Sequence, residues 1–160
     1  LALWQFRPMP ADSRLAALLH RMPGNRAIAI AYAQILNQRG GRDAGQRAVE
    51  ILRPLAADGG DDPTFQSTLG RAAEQAGDAI RAGEAYAQAA YLNGNPRRAL
   101  LQLHTLKNRP DLDYYARTRI DARIAAITPE VLDMRKQGIQ DMDAGPNEDR
   151  NLRQVLDSLR

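Results

Sequence analysis

Histidine and carboxylate side chains are the first places to look for chemistry in this chain, and their spacing offers little. The two histidines, His20 and His104, lie far apart with no carboxylate at ligand spacing, so they assemble neither a HExxH zinc site nor a histidine cluster. Both read as surface or packing residues. There is no cysteine, which removes thiol nucleophiles, disulfides and thiolate metal sites. Neither a Gly-x-Ser-x-Gly elbow nor a phosphate-binding glycine loop occurs. Asp58, Asp61 and Asp62 flank two glycines and come nearest to a cation site. They lack the alternating oxygen ligands and closing glutamate of a calcium loop, so a solvated turn is the better reading. No catalytic, cofactor-binding or metal-binding residue is expected, and the stretch by itself should be inert as an enzyme.

Charge narrows the partners. The net charge is +3, carried mostly by arginines that alternate with acidic residues instead of clustering with aromatics. Mixed solvated helix faces explain that pattern better than nucleic-acid binding. No run approaches the roughly 20 apolar residues of a membrane span. The chain opens on Leu1 without a methionine, and Leu-Ala-Leu-Trp-Gln-Phe-Arg-Pro lacks the apolar core of a signal peptide. We expect a fragment, with Trp4 and Phe6 packing partly on chain upstream. Absence of cysteine leaves the compartment open.

The elements that would position a binding surface are legible from a repeat. Ala48, Ala82 and Ala116 recur every 34 residues, with Ile35, Leu69 and Leu103 thirteen residues before them and Leu52, Tyr86 and Ile120 four after. That period holds one helix-turn-helix unit of the tetratricopeptide (TPR) kind. A small residue at each crossing lets two backbones approach while larger neighbours fill the grooves. High alanine and low aromatic content favour helix over strand. The expected fold is therefore all-α, a TPR-like right-handed α-solenoid of antiparallel helix pairs.

Helices are expected near residues 11–21, 27–38, 44–56, 64–75, 78–92, 96–107, 111–127 and 128–138, the last opened by Thr128-Pro129-Glu130. Asp62 with Pro63, Gly77 with Asp78, and Gly94 with Asn95 supply caps. Residues 1–26 read as the remnant of a preceding repeat, 27–127 as three TPR-like pairs, 128–138 as a capping helix, and 139–160 as a polar link with a terminal helix. Leu152, Val155, Leu156 and Leu159 on that last helix, expected over residues 151–160, form a candidate partner contact, with crystal packing or a disordered end left open.

The central unit reads Leu69-Gly70, Gly77, Ala82, Tyr86 and Ala89, close to the TPR consensus. In the third unit His104 and Arg123 replace the consensus glycine and late alanine. The segment from Ala82 to Leu103, with Tyr91 to Gly94, Arg98-Ala99 and Gln102-Leu103, followed by Tyr114-Tyr115 and Arg119 to Ile124, resembles a particular family. It is similar to the C-terminal TPR region of bacterial periplasmic zinc metalloproteases, the BepA-like proteases of outer-membrane assembly, most strongly over residues 64–127. The resemblance implies a periplasmic location and a non-catalytic interaction domain. It implies partners among proteins or peptides, including outer-membrane assembly machinery and the parent protease domain. Zinc would sit in that companion domain, whose HExxH motif is absent here, so no catalytic residue carries over. A free-standing adaptor in a cytoplasmic or envelope complex is the alternative, and a contribution to the protease's substrate channel a third reading.

Stacked helix pairs leave a groove lined by the first helix of each unit. In this register it would show Asn37, Ser67, Arg71, Glu74, Arg98, Leu101 and Thr105, which combine hydrogen bonding with local charge; each taken singly also reads as an ordinary surface residue. The five-residue clamp for chaperone C-terminal carboxylates is not matched, because the corresponding places hold Ala33, Asn37, Thr68, Arg98 and Gln102.

Overall fold

The computed structural model describes residues 10–139 and 146–159, and among the described residues the regular structure is all helical. Eight α-helices follow one another: α1 (Pro10–Arg21), α2 (Arg26–Arg39), α3 (Arg42–Leu52), α4 (Pro63–Ala76), α5 (Ala79–Leu92), α6 (Pro96–Lys107), α7 (Tyr114–Lys136) and α8 (Pro146–Ser158). A 3-10 turn, Arg53–Leu55, ends α3. Pro54 explains it, since the missing N–H cannot continue an α-helical ladder. Trp4 and Phe6, and residues 140–145 of the expected polar link, lie outside the described residues.

Caps set the helix starts. Asn25 accepts from the Ile28 N–H (3.1 Å), Asp62 from Thr64 and Phe65 (2.9 and 3.1 Å), Asn95 from Arg98 (3.0 Å) and Asp113 from Ala116 (2.6 Å). Each satisfies backbone donors that the first helical turn leaves open. At the end of α4, Gly77 adopts φ +87°, and the Asp78 N–H reaches back to the Ala73 carbonyl (2.8 Å). A side chain would be strained at that φ, which is why the stop falls on glycine.

The chain divides into two compact units between Asp78 and Ala79. In the first, α2 packs on both α3 and α4, α3 packs on α4, and α1 covers α2. Tyr32, Leu36, Val49, Leu52, Phe65 and Leu69 fill the interior, with Ala29, Ala33, Ala48, Ala72 and Ala73 where helices run close. Gly45 marks the tightest approach: a Cβ there would lie 2.7 Å from the Ala76 nitrogen and 2.8 Å from the Ala72 oxygen. Asn37 ties the same helices together. Its Nδ2 donates to the Thr68 carbonyl (3.0 Å), and Gln75 Nε2 donates to the Asn37 carbonyl (2.9 Å).

In the second unit α6 packs on α5, α7 and α8. Its core joins Ala87 of α5, Ala99, Leu100, Leu103 and Leu106 of α6, Ile120, Ile124, Ile127 and Val131 of α7, and Leu152, Val155 and Leu156 of α8. A bidentate pair from Arg119 to Glu84 (3.0 and 3.1 Å) joins α7 to α5. In both units one helix touches its next and next-but-one successors, the packing pattern of an α-solenoid. Ala48, Ala82 and Ala116 are all buried, as the repeat requires.

Three expectations are corrected. Thr128-Pro129-Glu130 does not open a new capping helix but lies inside α7. Ile120, Ile124, Ile127 and Val131 form one continuous buried stripe across the proline, and the Thr128 hydroxyl takes up the Ile124 carbonyl (2.6 Å). Burial along that stripe outweighs the ladder bond that Pro129 cannot make. At its other end α7 starts at Tyr114, not near residue 111, because Asp111 is held in the preceding turn by Arg109 and Asp113 provides the cap. The third correction concerns α8. It starts earlier than expected, at Pro146, and Leu152, Val155 and Leu156 are core residues instead of a partner contact; Leu159 lies past the helix end and is exposed.

Candidate functional site

A pocket of about 460 Å³ lies along α5 and α6. Gly83 and Tyr86 line it from α5, Arg98, Leu101, Gln102, Thr105 and Leu106 from α6, with Arg109 beyond α6 and Glu148 from the first turn of α8. Gly83 sets the width. A Cβ there would meet the Leu106 methyls at 3.0 and 3.1 Å, so the glycine lets Leu106 seat against α5. Spacing on α6 does the rest, since residues 98, 101, 102 and 105 fall on one helical face.

Three residues expected on a binding face, Arg98, Leu101 and Thr105, are thus brought together. Arg98 is exposed, and its guanidinium makes no ion pair or hydrogen bond among the described residues. Leu101 is half-buried and supplies apolar surface. The Thr105 hydroxyl donates to the Leu101 carbonyl (2.9 Å), which leaves its oxygen able to accept. Ser67, Arg71 and Glu74 share an exposed face of α4 in the first unit, with the Ser67 hydroxyl turned back onto the Thr64 carbonyl (3.1 Å).

Asn37 departs from expectation. It is only 4 % exposed and serves as the bond between α2 and α4. Its side-chain amide donates into α4, and its own carbonyl, left open in the last turn of α2, is taken up by Gln75. Ala33 and Thr68 are buried too, so three of the five positions corresponding to a carboxylate clamp are in the core.

Tyr86, Gln102, Arg109 and Glu148 complete the pocket without having been singled out as site residues. Tyr86 was legible as a repeat position, but its role there read as packing. Glu148 reaches the pocket only because α8 docks on α6, which no local pattern signals. Gln102 carries a buried Oε1 with no hydrogen-bond donor among the described residues. Arg109 is held by Asp111 through two bonds of 2.9 and 2.7 Å. That pairing raises the guanidinium above its ordinary value and holds the Asp111 carboxyl below its own. Arg98 is therefore the pocket cation left for an incoming anion.

In the first unit, charged groups near Asp62 serve structure. Asp62 caps α4 and lies 3.6 Å from Arg26, which also donates to the Asp58 carbonyl (2.6 Å). Gln66 spans the Gly59 and Gly60 carbonyls, so the acidic loop is an organised turn. His104 places its ring nitrogens 3.4 Å from Asn108 Nδ2 and Ser158 Oγ, and His20 is exposed. Among the described residues no group of three or more His, Cys, Asp or Glu side chains is arranged to hold a metal ion, and no helix is long and apolar enough to cross a membrane. The chain matches no protein-family model, and neither the curated proteins nor the solved structures contain a significant match to it.

Proposed function

We propose that this chain is a non-catalytic TPR-type recognition domain that takes an extended segment of a partner protein into the pocket between α5 and α6. The pocket's composition carries the reading. Tyr86, Leu101 and Leu106 offer an apolar floor, Arg98 an uncommitted guanidinium, and Gln102 an acceptor lacking a donor. One peptide supplies the complements together: an apolar side chain, a carboxylate and a backbone N–H. A small apolar ligand would leave both polar groups unanswered.

The parent protein in this proposal is a periplasmic zinc metalloprotease acting in outer-membrane protein assembly or quality control. This part rests on the resemblance of Tyr91 to Gly94 and Arg119 to Ile124 to that family. Zinc belongs to the companion protease domain. Reading the coding sequence upstream of Leu1 tests it: a signal sequence and a HExxH motif support the protease, whereas a start codon at this domain makes it a free-standing adaptor. The pocket is tested separately. Peptides selected from a display library on the purified chain should lose at least about tenfold in affinity on Leu101→Arg, a loss of about 1.4 kcal/mol. Unchanged affinity in a folded Leu101→Arg variant would refute the assignment.

A further inference from the structure

A second, smaller cavity lies where the start of α6, the end of α7 and the first half of α8 meet, with a volume of about 110 Å³. Among the described residues three arginines line it, Arg97, Arg135 and Arg153, against one carboxylate, Asp149. Arg97 is the unusual member. It is only 7 % exposed and stands in the first turn of α6, where the helix dipole disfavours a cation. Burying a charge there requires strong compensation, and what the described residues provide is incomplete. Its Nη2 donates to the neutral Ile139 carbonyl. Its Nη1 lies 3.9 Å from Asp149, too long for a hydrogen bond, and its Nε is buried with no partner among the described residues. Arg135 and Arg153 are exposed at the rim and make no ion pair among the described residues.

We propose that this cavity binds a phosphate group. Guanidinium groups present planar forks of N–H donors that match phosphate oxygens in pairs. A tetrahedral oxyanion would receive Arg97 from below and Arg135 and Arg153 from the rim, relieving repulsion among the three cations. The space is several times what one water needs and admits a phosphate group. The site shares no lining residue with the pocket on α5 and α6, so its test is a separate one. Bridging α6, α7 and α8, the bound group would also hold α8 in place.

The test titrates the whole chain near neutral pH, at constant ionic strength, with inorganic phosphate, with O-phosphoserine and with chloride as control. A saturable rise in melting temperature with either phosphate compound, absent with chloride, is expected, together with slower amide exchange in α8. Binding of both shows that the phosphate group alone is recognised; binding of phosphoserine only assigns the site to a phosphate monoester. Arg153→Gln and Arg135→Gln, both at exposed positions, should melt like the parent without phosphate and each weaken binding about tenfold. Equal responses to phosphate, phosphoserine and chloride would overturn the proposal, as would undiminished binding in both variants.

Discussion

Replacing Gly45 with alanine is expected to reverse the usual sign of that substitution. In an ordinary helix interior, glycine to alanine stabilises by about 1 kcal/mol, because glycine loses more backbone freedom on folding. At Gly45 the new methyl would lie 2.7 Å from the Ala76 nitrogen and the Gln75 Cβ, and 2.8 Å from the Ala72 oxygen. Carbon contacts relax at about 3.5 to 4 Å, so α3 and α4 must separate by roughly 1 Å. The wall is mostly backbone, which has no rotamer to yield. Overpacking costs about 1 to 3 kcal/mol, and a rigid wall puts this site at the upper end. Subtracting the propensity gain leaves a net loss of about 2 kcal/mol, or roughly 4 to 8 °C in melting temperature for a chain of this size. Thermal melts followed by circular dichroism read it directly. Gly83→Ala is the internal comparison, because there the methyl would meet only Leu106 side-chain carbons at 3.0 Å or more. That side chain can turn aside, so the shift should stay within about 1 kcal/mol of zero. A Gly45→Ala variant that melts at or above the parent would refute the close crossing of α3 and α4.

Other perturbations probe different joints. Asp62→Ala removes the acceptor for the Thr64 and Phe65 N–H groups and should cost about 1 to 2 kcal/mol in denaturant unfolding; no change would remove Asp62 from the cap. Pro129→Ala restores an N–H inside α7 and should stabilise the fold by at most the roughly 3 kcal/mol that an interior proline costs, read as a rise in melting temperature; a fall would mean that the proline ring itself supports the packing of α7. Carbon-13 titration of Asp111 should give a midpoint below the ordinary aspartate value of 3.8, because Arg109 stabilises the carboxylate. The folded value being the lower one, this pair's contribution is present above the unfolded pKa and lost as pH falls through the folded one. A midpoint at or above 3.8 would remove the pair.

The repeat was legible because it concerns burial at fixed spacing. Ala48, Ala82 and Ala116 lie inside, and Asp62, Gly77 and Asn95 punctuate the helices as their chemistry suggests. Pro129 misled because a local helix-start signal competes with burial of Ile127 and Val131 on either side, which only the packed unit decides. Asn37 misled for a related reason: its polarity says that it bonds, not whether water or the Thr68 carbonyl receives the bond. A third of the pocket lining, Arg98, Leu101 and Thr105, was readable from the α6 register. Glu148 was not, since its place depends on α8 docking from more than 40 residues along the chain.

Peptide recognition between α5 and α6 is tested most directly by mapping amide shifts in nitrogen-15-labelled protein as a library-selected peptide is added. Saturable shifts concentrated at Gly83, Arg98, Leu101, Gln102 and Thr105 are expected. Failure to select any peptide, or shifts confined to the α4 face around Ser67, Arg71 and Glu74, would contradict the account.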